Sequence, residues 1–195
     1  FGEKQILEIN FRKQRYKFKL NLIGKIQINN LLMAILAANK SGIKFDKIIK
    51  IIHKIKPVEG RLEKVGNIKN NSKVILDYAH TPEALELSLL NIKEQFPQSN
   101  VNLVFGCGGE RDFKKRSIMG SIAEKYSDKI YLTDDNPRSE NPSKIRKDIK
   151  KGIKKTKIYE LSDRKKAIHE AIVNLKSGEI LLVAGKGHEK IQDFG

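Results

Sequence analysis

Glycines and titratable side chains collect in four short segments of this 195-residue sequence. The segments are Asp77-Tyr78-Ala79-His80-Thr81-Pro82, Gly106-Cys107-Gly108-Gly109-Glu110-Arg111-Asp112, Thr133-Asp134-Asp135-Asn136-Pro137-Arg138 and Gly185-Lys186-Gly187-His188-Glu189. Glycines let the backbone approach a ligand closely and present N–H groups to an anion. The Asn136-Pro137 pair favours a turn, beyond which Arg138 could offer two parallel donors to a carboxylate. These residue types favour a binding site for a charged small molecule.

Each of the four segments follows a short apolar run that predicts a buried strand. Such runs cover residues 74–76, 101–105, 130–133, 158–161 and 180–184, and helical patterns between them begin at Pro82, Ile118, Pro142 and Arg164. Continuous apolar runs separated by helices are typical of a parallel sheet with both faces covered. We therefore predict a Rossmann-like α/β domain with about five parallel strands and helices on both faces. Ligands bind at the carboxyl ends of the strands in such folds, where the four segments lie.

The first 66 residues have a different pattern. Apolar and polar residues alternate over 5–11 and 16–22, which predicts an antiparallel hairpin. A helix is predicted from Asn29 to Ser41-Gly42 and a shorter one from Phe45 to His53. We expect residues 1–66 to be the end of one domain and residues 67–195 to form the next, and we expect the chain to be a fragment of a longer protein.

Composition restricts the class of protein. The net charge is +16, but only eight of the 39 basic residues are Arg and few lie beside aromatic residues, so a nucleic-acid-binding module is only an alternative. With one cysteine, Cys107, no internal disulfide can form. No apolar run approaches the roughly 20 residues of a membrane-spanning helix. We expect a soluble, cytoplasmic, monomeric protein that does not bind nucleic acid and does not span a membrane.

Taken in order, the motifs D-Y-A-H-T-P, F-G-C-G-G-E-R-D, D-D-N-P-R and A-G-K-G-H-E resemble the C-terminal part of the Mur ligases. The resemblance implies an ATP-dependent, amide-forming enzyme of peptidoglycan synthesis. It is strongest to the branch that joins meso-diaminopimelate to UDP-N-acetylmuramoyl-L-alanyl-D-glutamate through an acyl phosphate. In that family the phosphate loop and the Mg²⁺ ligands lie in the central domain. The resemblance therefore implies no catalytic residue and no metal ligand in these 195 residues.

Site residues follow from the resemblance motif by motif. For diaminopimelate it implies Arg111, Asp135, Asn136, Pro137, Arg138, Gly185 and Glu189. For ATP it implies Asn30 near adenine, Asp77 at the ribose and Arg61 near phosphate, with Tyr78 and His80 close by. The sequence departs from the family pattern at Gln27, where Asn is usual, and at Glu59, where Pro is usual.

Two sister activities stay open as alternatives, namely a lysine-adding ligase and a folylpolyglutamate synthase. Diaminopimelate carries a second carboxylate that lysine lacks, and a site selective for it needs a cationic fork. By the resemblance, lysine-adding relatives lack the arginine at the position of Arg138. The ammonium groups would need an anion, for which Glu189 and Asp135 are the candidates.

Overall fold

The structure, a computed structural model, describes residues 4–65, 68 and 71–195. The strands are β1 Gln5–Phe11, β2 Gln14–Leu20, β3 Glu63–Lys64, β4 Lys73–Asp77, β5 Val101–Phe105, β6 Lys129–Leu132, β7 Lys157–Glu160 and β8 Ile180–Ala184. The helices are α1 Lys25–Lys40, α2 Phe45–Ile52, α3 Pro82–Gln95, α4 Lys114–Tyr126, α5 Pro142–Lys150 and α6 Arg164–Val173. The predicted domain boundary, between residues 66 and 67, lies outside the described residues.

A six-stranded sheet forms the centre of the second part of the chain, with the strand order β3-β4-β8-β5-β6-β7. The five strands β4 to β8 are parallel, as predicted, and β3 pairs antiparallel with β4 at one edge. Helices α3, α4 and α5 cover one face, where Leu89 and Ile149 are completely buried. Helix α6 covers the other face through Ala167 and Ala171. The predicted α/β class is confirmed.

Residues 5–52 form a smaller layer that packs on this domain. Strands β1 and β2 pair antiparallel with Gln5 opposite Leu20, and a two-residue turn joins them with positive φ at both Arg12 and Lys13. Right-twisted hairpins favour such two-residue turns. Because the turn is this short, β2 begins at Gln14 rather than at the predicted residue 16. Helices α1 and α2 pack on the hairpin through Leu31, Ile35, Phe45, Ile48 and Ile52.

Helix α1 begins at Lys25, earlier than the predicted Asn29, because side chains of α3 bind the backbone at its start. The backbone N–H of Gly24 donates to Gln95 Oε1 at 2.8 Å, and that of Ile26 donates to Asn91 Oδ1 at 3.1 Å. These bonds satisfy donors that a helix start otherwise leaves unpaired. They also fix α1 against the sheet domain.

The position of β8 between β4 and β5 determines which loops meet. The backbone N–H of Gly185, after β8, donates to the carbonyl of Asp77, at the end of β4, at 3.1 Å. The loops after β4, β8, β5 and β6 therefore lie side by side at the carboxyl edge of the sheet.

Within the ranges that the structure describes, no helix is both long enough and apolar enough to cross a membrane.

Candidate functional site

A cavity of about 390 Å³ opens between α1, residues 58–62 and the start of α3. All five residues predicted for ATP line it: Asn30, Arg61, Asp77, Tyr78 and His80. Its remaining lining is mostly apolar, from Ile26, Val58, Leu62, Ala79, Ala84 and Leu87, with Gln27 and Ser88 also present. The structure thus brings together residues that are far apart in sequence around one space whose lining combines apolar side chains with cationic and polar ones.

The side chain of Asp77 fixes the backbone on two sides of this cavity through hydrogen bonds. Its buried carboxylate accepts hydrogen bonds from the backbone N–H of Leu62 at 2.7 Å and of Ala79 at 2.9 Å, and from Ser88 Oγ at 3.0 Å. A carboxylate offers about four acceptor positions. Three of them are used by the protein, so at most one is available to a ligand.

Tyr78 lies at the boundary between the cavity and the loop after β8. The guanidinium carbon of Arg61 lies 4.6 Å from the centre of its ring, and the hydroxyl donates to Glu189 Oε1 at 3.1 Å. The hydrogen bond to Glu189 raises the pKa of the Tyr78 phenol. The ring of His80 meets the tyrosine edge to face at 4.7 Å, and the ring of His188 stacks at 5.7 Å.

Glu189, Asn136 and Lys186 form a compact charged cluster beside Tyr78. The buried Lys186 Nζ donates to Asn136 Oδ1 at 2.7 Å and to Glu189 Oε2 at 3.0 Å, and Asn136 Nδ2 donates to Glu189 Oε2 at 3.4 Å. Burial acts to raise the pKa of Glu189, but the bonds from Lys186, Tyr78 and Asn136 outweigh it and lower the pKa. Sequence reasoning missed Lys186 as a site residue, although it lies inside the G-K-G-H-E motif that was singled out.

Arg138 follows the Asn136-Pro137 turn with φ +52. Its Nη1 donates to the carbonyl of Gly109 at 2.7 Å, and its Nε lies 3.7 Å from Asp193 Oδ2. A Cβ placed on Gly108 would lie 3.2 Å from Arg138 Nη1 and 3.8 Å from Arg111 Cγ, so both arginine side chains pass close to Gly108. No hydrogen bond or ion pair of the exposed Arg111 guanidinium is found among the described residues. Two arginine side chains therefore pass through the same part of this edge.

Two glycines in these loops are required by close approach. A Cβ on Gly109 would lie 1.9 Å from the carbonyl oxygen of Pro137, so the loops after β5 and β6 can pack backbone to backbone only because this residue has no side chain. Gly185 has φ +113, and its Cβ would lie 2.9 Å from Asp135 Oδ2. Because these two positions carry no side chain, the loops after β5 and β8 can lie in direct contact with the loop after β6.

The guanidinium of Arg116 binds the glycine-rich loop, residues 106–112, from the buried side. Its buried guanidinium pairs with Glu140 at 2.7 Å and with Asp148 at 3.3 Å, and it donates to the carbonyl of Gly108 at 3.4 Å. Glu140 in turn accepts the backbone N–H of Glu110 at 3.1 Å. Cys107 in the same loop contacts Met119 Sδ at 3.6 Å, and burial raises its pKa to about 12, which excludes a thiolate nucleophile near neutral pH.

A second cavity of about 540 Å³ lies beside the first and shares His80 with it. Arg111 and Lys115 line it, and Lys115 Nζ donates to the carbonyl of His80 at 2.8 Å. Among residues 4–65, 68 and 71–195, no three His, Cys, Asp or Glu side chains are grouped so that they could hold a metal ion.

The fold and this edge define an α/β domain that presents paired arginines, a carboxylate cluster and a nucleotide-sized cavity at the carboxyl ends of its strands. The chain belongs to the Mur ligase family, since the family model for the Mur ligase, glutamate ligase domain, matches residues 60–187. The resemblance drawn from the four motifs is confirmed.

The curated relatives that this chain resembles carry the name of one particular Mur ligase. The chain is 44% identical to the UDP-N-acetylmuramoyl-L-alanyl-D-glutamate–2,6-diaminopimelate ligase of Rickettsia felis, with all of this chain and 38% of the relative covered. It is 41% identical to the ligase of the same name from Chelativorans sp., with 98% of this chain and 39% of the relative covered. The chain thus spans less than half the length of the curated relatives that it matches.

Solved structures show the same architecture. A structure of UDP-N-acetylmuramoyl-L-alanyl-D-glutamate–2,6-diaminopimelate ligase superposes with a TM-score of 0.70 at 31% identity, covering 97% of this chain and 39% of that one. The Mycobacterium tuberculosis folylpolyglutamate synthase, solved with ADP and AMPPCP, superposes with a TM-score of 0.73 at 16% identity, covering 95% and 43%. Because its sequence identity is only 16%, the likeness to the folylpolyglutamate synthase shows a shared fold alone.

Proposed function

We propose that residues 1–195 form the amino-acid-selecting part of an ATP-dependent ligase that joins meso-diaminopimelate to UDP-N-acetylmuramoyl-L-alanyl-D-glutamate in the cytoplasm. One observation carries the proposal. At the carboxyl edge of the sheet the side chains of Arg111 and Arg138 both pass close to Gly108, within one cluster of loops that also holds Glu189. A molecule with two amino acid centres requires this combination of cationic and anionic groups.

The arginines suit the two carboxylates of diaminopimelate. Arg138 Nη1 donates to the carbonyl of Gly109, which fixes the plane of the guanidinium, and its Nε–Nη2 edge, where Asp193 Oδ2 now lies 3.7 Å from Nε, is the edge that a ligand carboxylate would bind. Arg111, whose side chain also passes close to Gly108, is exposed and would supply the second fork. A planar guanidinium binds a carboxylate with two parallel hydrogen bonds, which an ammonium group cannot do.

The ammonium groups of the ligand would contact Glu189 and Asp135. Asp135 Oδ1 accepts the backbone N–H of Asn136 at 2.8 Å, while its Oδ2 faces Gly185. Glu189 is already held by Lys186, Tyr78 and Asn136, which keeps its carboxylate ionised and fixed in direction. These two carboxylates therefore offer negative charge to the ligand, and Asn136 and Pro137 position the loop between them.

We assign ATP to the cavity lined by Asn30, Arg61 and Tyr78, because its lining offers both apolar and cationic side chains. We assign the apolar wall and Asn30 to the adenine, and Arg61 and His80 to the phosphates; Asp77 has one acceptor position left for the ribose. ATP would supply the phosphoryl group that converts the D-glutamate carboxylate into an acyl phosphate, from which the amine of diaminopimelate displaces phosphate. Mg²⁺ and its ligands would belong to the rest of the longer enzyme.

A chimaera tests the proposal directly. Residues 1–195 would replace the matching C-terminal segment of the Rickettsia felis relative, and phosphate release would be measured with meso-diaminopimelate and with L-lysine as acceptors. We expect turnover with diaminopimelate and a kcat/KM for lysine lower by about tenfold or more, because lysine leaves one cationic fork unpaired. Equal use of both acceptors, or turnover with lysine alone, would overturn the assignment.

A further inference from the structure

Tyr78 contacts both halves of the proposed site. One face of its ring carries the Arg61 guanidinium at 4.6 Å, on the side of the nucleotide cavity. Its hydroxyl donates to Glu189 Oε1 at 3.1 Å. Glu189 belongs to the charged cluster with Asn136 and Lys186, which we call the amino-acid cluster because we assign it to that ligand. One rigid side chain thus connects a cation assigned to phosphate with a carboxylate assigned to ammonium.

The hydroxyl has a distinct part in holding Glu189. Lys186 and Asn136 both donate to Oε2, whereas Oε1 receives its hydrogen bond from Tyr78. Without the phenol, the carboxylate would be held at one oxygen and could rotate about that point. The direction in which Glu189 presents negative charge therefore depends on where the ring of Tyr78 lies.

The ring position depends in turn on the nucleotide side. Arg61 is exposed and attached to the ring face by a cation–π contact, while Gly187 packs against the opposite end of the residue at Tyr78 Cβ. An anion that pairs with Arg61 changes the charge over the ring and the position of the guanidinium. Such a change acts directly on Tyr78, whose ring contacts the guanidinium.

We propose that Tyr78 is a positioning residue that couples the two sites, so that nucleotide bound at Arg61 orients Glu189 for the amino acid through the tyrosine hydroxyl. This inference rests on the proposed function. Coupling between sites is reciprocal, so bound amino acid tightens nucleotide binding by the same factor.

The link is testable without any ligand. In the 195-residue chain with ¹³C-labelled glutamate, Arg61→Gln should shift the carboxyl resonance of Glu189. In the Tyr78→Phe background the same Arg61→Gln change should leave that resonance in place. A shift of equal size in both backgrounds would contradict a link through the hydroxyl.

Kinetics of the chimaera test the coupling itself. Tyr78→Phe keeps the ring under Arg61, so the KM for ATP, measured at a diaminopimelate concentration well below its own KM, should change by less than about twofold, while the KM for diaminopimelate at saturating ATP should rise about fivefold to tenfold. The dependence of the diaminopimelate KM on ATP concentration should also disappear. Tyr78→Leu, which removes the ring as well, should raise both KM values.

Tyr126→Phe is the matched control, because the Tyr126 hydroxyl also donates to a glutamate, Glu86, at 2.9 Å but does so between α3 and α4. It should leave both KM values unchanged. If Tyr78→Phe leaves the coupling intact in an active chimaera, the inference is wrong while the proposed function stands. If the chimaera uses lysine as well as diaminopimelate while the resonance of Glu189 still depends on Tyr78, the proposed function is wrong and the structural link stands.

Discussion

Asp77 Oδ2 accepts a hydrogen bond of 2.7 Å from the backbone N–H of Leu62, which joins the segment before the sheet to the end of β4. Both residues are buried. Through this bond the end of β4 also fixes Arg61, the neighbour of Leu62, over Tyr78. The geometry of the candidate nucleotide cavity therefore depends on a carboxylate that is largely satisfied by the protein itself.

Replacing Asp77 by Asn should destabilise the chain by about 1–3 kcal/mol, because an amide NH₂ would face either the Leu62 or the Ala79 N–H and leave a buried donor unpaired. Urea unfolding followed by circular dichroism measures this. Asp112→Asn is the control, since the exposed Asp112 also accepts a backbone N–H, from Lys114, and an asparagine serves there equally well. Equal losses of unfolding free energy for both variants would contradict the claim that Asp77 pairs buried donors that an asparagine cannot pair.

Arg116→Met should cost about 3–5 kcal/mol of stability, because it leaves the carboxylates of Glu140 and Asp148 without their buried cation. Lys125→Met removes an exposed pair with Glu86 at 3.6 Å and should change stability far less, because exposed ion pairs contribute little. Denaturant midpoints of the two variants give the comparison. A loss below about 1 kcal/mol for Arg116→Met would show that the glycine-rich loop does not need this anchor.

The pH dependence of stability should include a contribution from the buried Glu179. Burial acts to raise its pKa, but hydrogen bonds from the Lys176 backbone and Asn102, with the charge of Lys129, outweigh it and lower the pKa below its ordinary value of 4.5. A lowered folded-state pKa gives stability that is complete above the unfolded value and is lost as the pH falls through the folded value.

Glu179→Gln should therefore flatten the fall in stability below pH 4.5, while lowering stability near neutral pH. Urea midpoints between pH 3 and pH 7 for the wild-type chain and the variant test this. Parallel curves would contradict the assignment.

Residues 1–195 alone should bind ATP only weakly and should not hydrolyse it, since the sequence has no G-x-x-x-x-G-K-[ST] phosphate loop. Calorimetric titration of the chain with ATP measures the affinity. Stoichiometric binding with submicromolar affinity would contradict this expectation.

The sequence predicted the sheet well for a physical reason. Strands such as Val101–Phe105 and Ile180–Ala184 are buried on both faces, and a continuous apolar run indicates this directly. The two-residue strand Glu63–Lys64 has no such run, and only its pairing with Leu76 and Ile75 defines it. The insertion of β8 between β4 and β5 is likewise a property of tertiary packing.

The site was predictable where a motif lies at a strand end, as for Tyr78 and Glu189. Lys186 and Arg116 were missed because only burial and distant partners distinguish them from the many other basic residues of this chain. Arg111 and Arg138 were predicted as separate donors. Their common position around Gly108 depends on the contact between Gly109 and Pro137, which no local pattern encodes.

Arg138 carries the central claim that this domain selects diaminopimelate. Removing one member of a buried charge pair costs about 2–5 kcal/mol, and the Arg138 side chain is 25% exposed, so a smaller loss is expected here. Arg138→Lys should restore only part of the affinity, because an ammonium group lacks the planar fork. Arg15→Ala, in the distant hairpin, is the matched control and should have no effect.

The most direct measurement is the pair of KM values of the Arg138→Ala chimaera, for diaminopimelate and for ATP. The proposal predicts that the KM for diaminopimelate rises by about tenfold or more while that for ATP is nearly unchanged. An unchanged KM for diaminopimelate, or an equal rise in both values, would contradict the assignment of Arg138 as the group that binds the second carboxylate.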